Sequence, residues 1–165
     1  MKKGNKCLLI VDVQNGFINK NTKHIPPLIE QIQYKYDIVF ITKFFNRKGS
    51  FYRKLIGWDK LTKNSKEFDL AFTPRKDAII IEKDIYTCIN NLFLSSLSEK
   101  NIKQVFICGI DTDICVTKCA VDLFENSIVP IVIQDYCASN AGSEAHINAI
   151  KTLKRFIGAK QIIKS

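Results

Sequence analysis

The sequence lacks the features that mark membrane proteins, secreted proteins and flexible linkers. Its 165 residues contain no apolar run near the ~20 residues that a membrane-spanning helix needs. The basic start, Met1-Lys2-Lys3-Gly4-Asn5-Lys6, precedes a short apolar run that Asp12 interrupts, which makes a poor signal peptide. Internal repeats and low-complexity segments are absent as well. We therefore expect a single domain over residues 1–165, in the cytoplasm and with no membrane partner.

Cysteine occurs without the spacing of a disulfide scaffold or of a redox motif. The chain has six cysteines and no C-x-x-C pair. This is a low density for a disulfide-stabilised protein, and it favours a reduced setting. The six are Cys7, Cys88, Cys108, Cys115, Cys119 and Cys137.

Acidic residues are scarce relative to basic ones, and the formal net charge is +9. The imbalance indicates either a lysine-rich solvated surface or attraction to an acidic partner. It is strongest from Lys43 to Lys66, where eight Lys or Arg accompany one acid, Asp59. Aromatic residues are interleaved there, as in surfaces that bind single-stranded nucleic acid, but no nucleic-acid motif is present and we expect no such partner. The segment is then a surface loop anchored by its aromatics, or a lid over a small anionic or aromatic substrate.

Apolar runs alternate with segments of helical periodicity along the chain. Strands are predicted at residues 7–11, 38–42, 78–81, 105–108, 128–133 and 161–163, with helices near 26–36, 92–97, 114–124 and 143–157. This alternation is typical of an α/β protein. We predict a three-layer, doubly wound, mostly parallel sheet of six strands in the order 3-2-1-4-5-6, with helices on both faces.

The fourth strand runs into a turn that carries Cys115. The stretch from Gly109 to Val116 links the buried run Val105–Cys108 to a helical pattern. Cys115 would lie in the first turn of that helix, where the helix dipole lowers the pKa of a thiol and makes the sulfur a nucleophile. The alternative is that Cys115 is a small buried hydrophobic residue.

Two charged residues follow other strands at the same edge of the sheet. Asp12 ends the first strand, and Lys83 follows the third. Because the first and fourth strands are neighbours in the predicted order, Asp12 and Cys115 flank the crevice between them. The three side chains would supply a nucleophile, a carboxylate that takes its proton and a cation that holds the carboxylate. The alternatives are an Asx turn at Asp12 and a solvated loop lysine at Lys83.

Together, residues 9–17, Lys83 and residues 108–116 resemble the isochorismatase-like cysteine hydrolases. The resemblance covers nearly the whole chain, and it implies a catalytic triad carried here by Asp12, Lys83 and Cys115. It implies attack on an amide or similar C–N bond, a thioester intermediate and release by water. We expect no cofactor, and because members of the family commonly assemble, we expect a homo-oligomer.

The resemblance further implies a cis peptide bond between Ile110 and Asp111. The turn would then direct the N–H groups of Asp111 and Cys115 at the oxyanion of the transition state. Paired backbone donors stabilise charge that develops only there.

The chain departs from the nicotinamidases of this family after the second strand. Those enzymes bind a metal through an Asp-x-His…His arrangement, whereas residues 42–46 here read Thr-Lys-Phe-Phe-Asn. The two histidines of the chain, His24 and His146, cannot rebuild such a site at plausible spacing. We therefore predict no metal, which speaks against nicotinamidase activity. Family members that hydrolyse the isochorismate vinyl ether need no nucleophilic cysteine, so Cys115 speaks against that chemistry.

These observations predict a metal-independent cysteine hydrolase that cleaves a C–N bond of a small amide-like substrate. We expect Phe17, Phe44 and Tyr86 to line its substrate pocket. The alternatives are a catalytically inactive binding protein, an isochorismatase or nicotinamidase type of activity, and a thiol redox protein that uses Cys115 and Cys119.

Overall fold

Six parallel strands form one open sheet in the computed structural model, which describes residues 5–165. Their order is β3-β2-β1-β4-β5-β6, which confirms the predicted fold class. The basic start of the chain, residues 1–4, lies outside the described residues. The strands are β1 (Cys7–Val11), β2 (Ile38–Phe44), β3 (Ile79–Lys83), β4 (Gln104–Ile110), β5 (Val129–Ala138) and β6 (Ile162–Ile163).

Five α-helices among the described residues pack around the sheet. The longest, α5, packs against α4 and β5, and α3 reaches β2 through an edge-to-face contact between Phe93 and Phe40. Within residues 5–165, none of the helices has the length and apolarity to cross a membrane. The helices are α1 (Ile25–Ile32), α2 (Phe51–Lys54), α3 (Asn91–Glu99), α4 (Thr117–Glu125) and α5 (Ser143–Ile157).

The centre of the core is β1, whose five residues are completely buried. It pairs with β2 on one side and β4 on the other, so both of its faces are covered. A continuous apolar run suits this position, because each fully buried Leu, Ile or Val contributes ~1.5–3 kcal/mol to folding. The first charged side chain after the run, Asp12, therefore emerges at the carboxyl edge of the sheet.

Four strands extend beyond their predicted ends. β4 continues through Gly109 to Ile110, two residues that we assigned to the turn. β2 continues to Phe44 and β3 to Lys83, and these two residues are paired across the strands. β5 continues to Ala138, into residues predicted as a loop, and Cys137 and Ala138 pair with Gly109 and Ile110 after a register shift. The apolar pattern ends earlier than the strands because residues outside the continuous apolar runs can still make the backbone ladder at the sheet edge.

Gly109 lets β4 approach β1 closely at the edge that carries the charged residues. Its φ is +124°, and a Cβ atom there would lie 2.1 Å from the carbonyl oxygen of Val11. A larger residue would push the two strands apart at the pair Val11–Gly109. The glycine therefore keeps the turn after β4 next to Asp12.

Candidate active site

Asp12, Lys83 and Cys115 meet at the carboxyl edge of the sheet. The Lys83 Nζ atom lies 2.6 Å from Asp12 Oδ2 and 3.8 Å from Cys115 Sγ. Asp12 is fully buried, and Lys83 and Cys115 are 6% and 5% exposed. The three residues that the sequence placed after different strands thus form one cluster.

The Asp12 carboxylate is held by two different side chains. Lys83 donates to Oδ2, and the Thr42 hydroxyl donates to Oδ1 at 2.6 Å. The same hydroxyl accepts the Asp12 backbone N–H at 3.1 Å. Thr42 is completely buried on β2, the strand next to β1. It orients the carboxylate, a role that the sequence analysis missed because Thr42 was considered only as a position without a metal ligand.

The Lys83 ammonium also holds the segment that follows β3. Besides Asp12 it donates to the carbonyl oxygens of Ile85 at 3.1 Å and Tyr86 at 3.0 Å. Burial opposes a charge on Lys83, but the Asp12 carboxylate and the neighbouring sulfurs of Cys115 and Cys119 together outweigh it, and the pKa of the ammonium is raised. Lys83 is therefore a fixed cation that connects the cluster to Tyr86.

Cys115 lies in a π-helical turn, Thr112–Val116, rather than in the first turn of an α-helix. The N–H groups of Ile114 and Val116 both donate to the Asp111 carbonyl oxygen, and α4 begins only at Thr117. Wider turns of this kind occur often at functional sites. The peptide bond before the turn, Ile110–Asp111, is cis, as expected from the resemblance.

The expected lowering of the Cys115 pKa is wrong. Burial raises the pKa of this thiol well above its ordinary value, and the Asp12 carboxylate raises it further, while Lys83 acts in the opposite direction. The dipole at a helix start does not compensate for the desolvation of a thiolate next to a carboxylate. The resting group is therefore a thiol, and a nucleophilic Cys115 needs a base.

Two further thiols, those of Cys88 and Cys119, lie beside the cluster. A hydrogen bond from Cys88 lowers the pKa of Cys119, although burial opposes this effect. Cys119 is completely buried and Cys88 is 2% exposed, so both are shielded from solvent. All six cysteines of the chain are free and buried.

Cys115 borders a cavity of about 210 Å³ with mostly aromatic and aliphatic walls. Phe17, Phe44 and Tyr86 line it, as we expected. The basic and aromatic segment 43–66 supplies much of the remaining wall, so it is more than an anchored surface loop. The lining residues that were not assigned to the pocket from sequence are Tyr52, Ile56, Trp58, Asp111, Ile114 and Asn140.

The aromatic rings of the wall support one another. Tyr52 makes edge-to-face contacts with Phe44 and Tyr86, each with ring centroids 5.1 Å apart, and Trp58 stacks on Phe17 at 5.8 Å. The backbone below is fixed because Asn46 Nδ2 donates to the Trp58 carbonyl oxygen at 2.8 Å. The alternation of aromatic and basic residues in the sequence was the signal for this wall, but it did not show which rings turn inward.

Several basic side chains of the same segment point away from the cavity. Lys43 lies over the ring of Phe68, and Lys63 lies over Phe45 and pairs with Glu82. Together with the apolar lining of the cavity, this placement does not favour an anionic ligand.

The side chains of Thr42, Phe44 and Asn46 are engaged in hydrogen bonds or line the cavity, and residues 42–46 do not form a metal site. Thr42 bonds Asp12, Phe44 lines the cavity, and Asn46 bonds Trp58 and accepts from the Ser50 hydroxyl. Among residues 5–165, no group of three or more His, Cys, Asp or Glu side chains is arranged to hold a metal ion. The absence of a metal requirement stays a prediction.

The two histidines line a different cavity, between the ends of β5 and α5. His146 Nδ1 lies 2.8 Å from the Thr112 hydroxyl, and burial lowers the pKa of this imidazole. His146 thus contacts the turn that carries Cys115 without lining the cavity next to the sulfur.

The chain belongs to the isochorismatase domain family, whose model matches residues 6–161. Among curated proteins, isochorismatase family proteins 1A and 1B of Dictyostelium discoideum are each 31% identical to it over 67 residues. That segment is 39% of this chain, and it spans about a third, 32%, of each relative's length.

Solved structures of three proteins share the fold along nearly their whole length. An isochorismatase-like hydrolase from Alkaliphilus metalliredigens is 19% identical with a TM-score of 0.84, and the match covers 98% of this chain and 95% of that one. A cysteine hydrolase from Pseudomonas syringae pv. phaseolicola is 17% identical with a TM-score of 0.83, covering 99% and 94%. The pyrazinamidase of Pyrococcus horikoshii, solved in complex with zinc, is 19% identical with a TM-score of 0.82, covering 98% and 99%. These likenesses confirm the isochorismatase-like hydrolase fold.

Proposed function

We propose that this protein is a metal-independent cysteine hydrolase that cleaves the C–N bond of a small amide through a thioester. The observation that carries the proposal is the position of Cys115 Sγ, at the border of a cavity and 3.8 Å from the ammonium that also binds Asp12. Membership of the hydrolase family supports the reaction class.

In the first half of the reaction, Asp12 acts as a general base and Cys115 as the nucleophile. Because the pKa of the thiol is raised, Asp12 takes its proton as the sulfur attacks the amide carbon. A C–S bond forms, and the carbonyl oxygen becomes an oxyanion that we assign to the N–H groups of Asp111 and Cys115. Lys83 keeps its charge throughout and holds Asp12 in place.

In the second half, Asp12 returns the proton and then activates water. The leaving nitrogen takes the proton from Asp12 as the C–N bond breaks, which leaves an acyl thioester on Cys115. Asp12 then takes a proton from water, and the oxygen attacks the thioester carbon. The C–S bond breaks, the carboxylic acid is released, and the proton returns to the Cys115 sulfur.

The cavity indicates the size and character of the substrate. Its volume of about 210 Å³ is below the range of roughly 300–1,000 Å³ that is typical of sites for drug-sized ligands. Aromatic walls from Phe44, Tyr52 and Trp58 suit a flat or compact apolar group. We therefore propose a small uncharged amide as the substrate, and the likeness to a pyrazinamidase points in the same direction.

A screen of small primary amides and ureido compounds that measures ammonia release tests the function. The wild-type protein should release ammonia from at least one compound, and Cys115→Ser should release none while keeping its circular dichroism spectrum. Cys119→Ser is the matched control, because Cys119 is buried one helical turn away and has no place in the mechanism. Turnover by folded Cys115→Ser would contradict the proposal.

Thiol labelling provides a second test that needs no substrate. Iodoacetamide with peptide mapping should modify Cys115 before the other five cysteines, because Cys115 alone among them lines the cavity with the aromatic walls. Its labelling should still accelerate above about pH 9, since the thiol pKa is raised. Faster labelling of another cysteine would count against the site.

The cytoplasmic location and the homo-oligomer remain part of this proposal, since they follow from sequence alone. Light scattering on the purified protein measures the assembly directly. A monomer at all concentrations would remove the oligomer from the proposal without affecting the chemistry.

A further inference from the structure

One buried carboxyl group at the cavity, that of Asp111, has no role in the proposed mechanism. Asp111 is 4% exposed and lines the same cavity as Cys115, yet the proposed reaction uses only its backbone N–H. The other polar lining residue, Asn140, is its neighbour. In an otherwise apolar cavity, such isolated polar groups decide which ligands are accepted.

Hydrogen bonds hold the Asp111 carboxyl in place. Its Oδ1 atom accepts the Asn140 backbone N–H at 2.7 Å. The Asn140 carbonyl oxygen accepts from Asn19 Nδ2 at 2.8 Å and from Asn21 Nδ2 at 3.0 Å. The carboxyl is therefore hydrogen-bonded to Asn140, whose own position is held by two asparagine side chains, and it is not a freely moving surface group.

The other titratable groups around the cavity add little net charge, because they either form an ion pair or stay neutral. Asp12 and Lys83 form an ion pair, and Cys115 remains a thiol because its pKa is raised. Burial raises the pKa of Tyr52 to about 12 and also raises that of Tyr86, so both phenols are neutral near neutral pH.

Asp111 is then the group whose ionisation changes the charge of the cavity near neutral pH. Burial raises its pKa to about 7, the Asn140 N–H opposes this, and the carboxylates of Asp113 and Asp12 add to the rise. The carboxyl is neutral below about pH 7 and negative above it.

We propose that Asp111 is a specificity residue whose carboxylate excludes anionic substrates from Cys115 and admits neutral ones. This inference rests on the proposed function, since it takes Cys115 as the reacting atom. It runs against the net charge of +9 and the basic segment 43–66, which by themselves suggest an anionic ligand. The surface charge can draw anions to the molecule, but the cavity wall then repels them.

Two alkylating reagents that differ in charge test the proposal without a known substrate. Iodoacetamide is neutral and iodoacetate is an anion, and both react with the thiolate, so the ratio of their rates cancels the ionisation of Cys115 itself. Labelling at Cys115 is followed by peptide mapping from about pH 6 to about pH 8.5, on either side of the Asp111 pKa. In the wild type, the rate with iodoacetate relative to iodoacetamide should fall about tenfold across this range, as expected for like charges several ångströms apart.

Substitutions then assign the effect to one carboxyl. Asp111→Asn keeps an oxygen that can accept the Asn140 N–H but cannot ionise, so its rate ratio should not change with pH. The matched control is Asp113→Asn, which removes a carboxylate from the same turn at a position that does not line the cavity. This control should keep a fall of the same size, with its midpoint moved to lower pH because the Asp113 carboxylate adds to the raised pKa of Asp111.

A constant ratio in the wild type, or the same fall in Asp111→Asn, would overturn the proposal. If Asp111→Asn does not fold by circular dichroism, Asp111→Ser removes the charge with a smaller side chain, and the wild-type measurement is decisive in any case. Failure of the proposed function is seen separately, because labelling needs no turnover. A protein that hydrolyses no amide can still show the charge-dependent ratio.

Discussion

The two sides of the cavity are built in different ways. On one side, Asp12, Lys83 and Thr42 belong to strands of the sheet or directly follow them, and their side chains are buried and joined by short hydrogen bonds. On the other side, rings from the segment 43–66 rest mainly on one another, and Ile56 is 63% exposed although it lines the cavity. The strand side is rigid and suits the proposed chemistry. Substitutions on the loop side, in contrast, can alter substrate specificity without disturbing the sheet.

This comparison predicts that variants on the strand side lower kcat and that variants on the loop side raise KM. The largest effect is expected at Asp12. Asp12→Asn keeps the shape of the side chain but removes the proton shuttle, so turnover should fall by roughly 10²–10⁴-fold. Steady-state kinetics on any amide that responds in the screen measures the rate, and circular dichroism checks the fold.

Asp77→Asn is the control for this change, because the Asp77 carboxylate is exposed and pairs only with Arg75, away from the cavity. It should leave turnover unchanged. If folded Asp12→Asn stays within about tenfold of the wild type, Asp12 has no part in proton transfer.

Thr42→Val should have the next largest effect. The change removes the hydroxyl that orients Asp12 while it keeps the volume, and a hydrogen bond to a charged group contributes about 1.5–3 kcal/mol. We expect kcat to fall roughly 10–100-fold with little change in KM. Thr42→Ser, which keeps the hydroxyl, should recover most of the rate. A serine variant as slow as the valine variant would mean that the hydroxyl does not position the base.

Trp58→Ala tests the loop side. The indole stacks on Phe17, and loss of one aromatic contact costs about 0.5–1.5 kcal/mol, so KM should rise roughly threefold to tenfold while kcat changes less. Trp58→Phe should lie between this variant and the wild type. A fall in kcat larger than the rise in KM would show that the loop wall takes part in the chemistry, and the comparison of the two sides would no longer hold.

Metal removal should have the smallest effect. After dialysis against EDTA, the rate should stay within about twofold of the untreated protein, because Thr42 and Asn46 are engaged in other hydrogen bonds. Loss of activity that zinc, iron or manganese restores would instead place this protein with metal-dependent amidases.

Much of the fold and the identity of the three clustered residues could be predicted from sequence. The order of the strands is confirmed, and so is the family. The ends of β2, β3, β4 and β5 were placed too early, because residues outside the continuous apolar runs still make backbone hydrogen bonds at the sheet edge. The Cys115 pKa was predicted in the wrong direction, because desolvation depends on neighbours that lie far away in the chain.

The sequence by itself determined where the apolar strands run and which reactive side chains follow them. Local patterns are sufficient for this, since a buried parallel strand is a continuous apolar run and the charge after it must emerge at the sheet edge. Only the tertiary structure decided how those side chains act. Thr42 reaches Asp12 across 30 residues and Lys83 across 71, and the cavity wall closes over Cys115 from segments that are just as distant. Hydrogen bonds and burial set the protonation of Cys115 and Asp111, and both exist only once these segments have packed together.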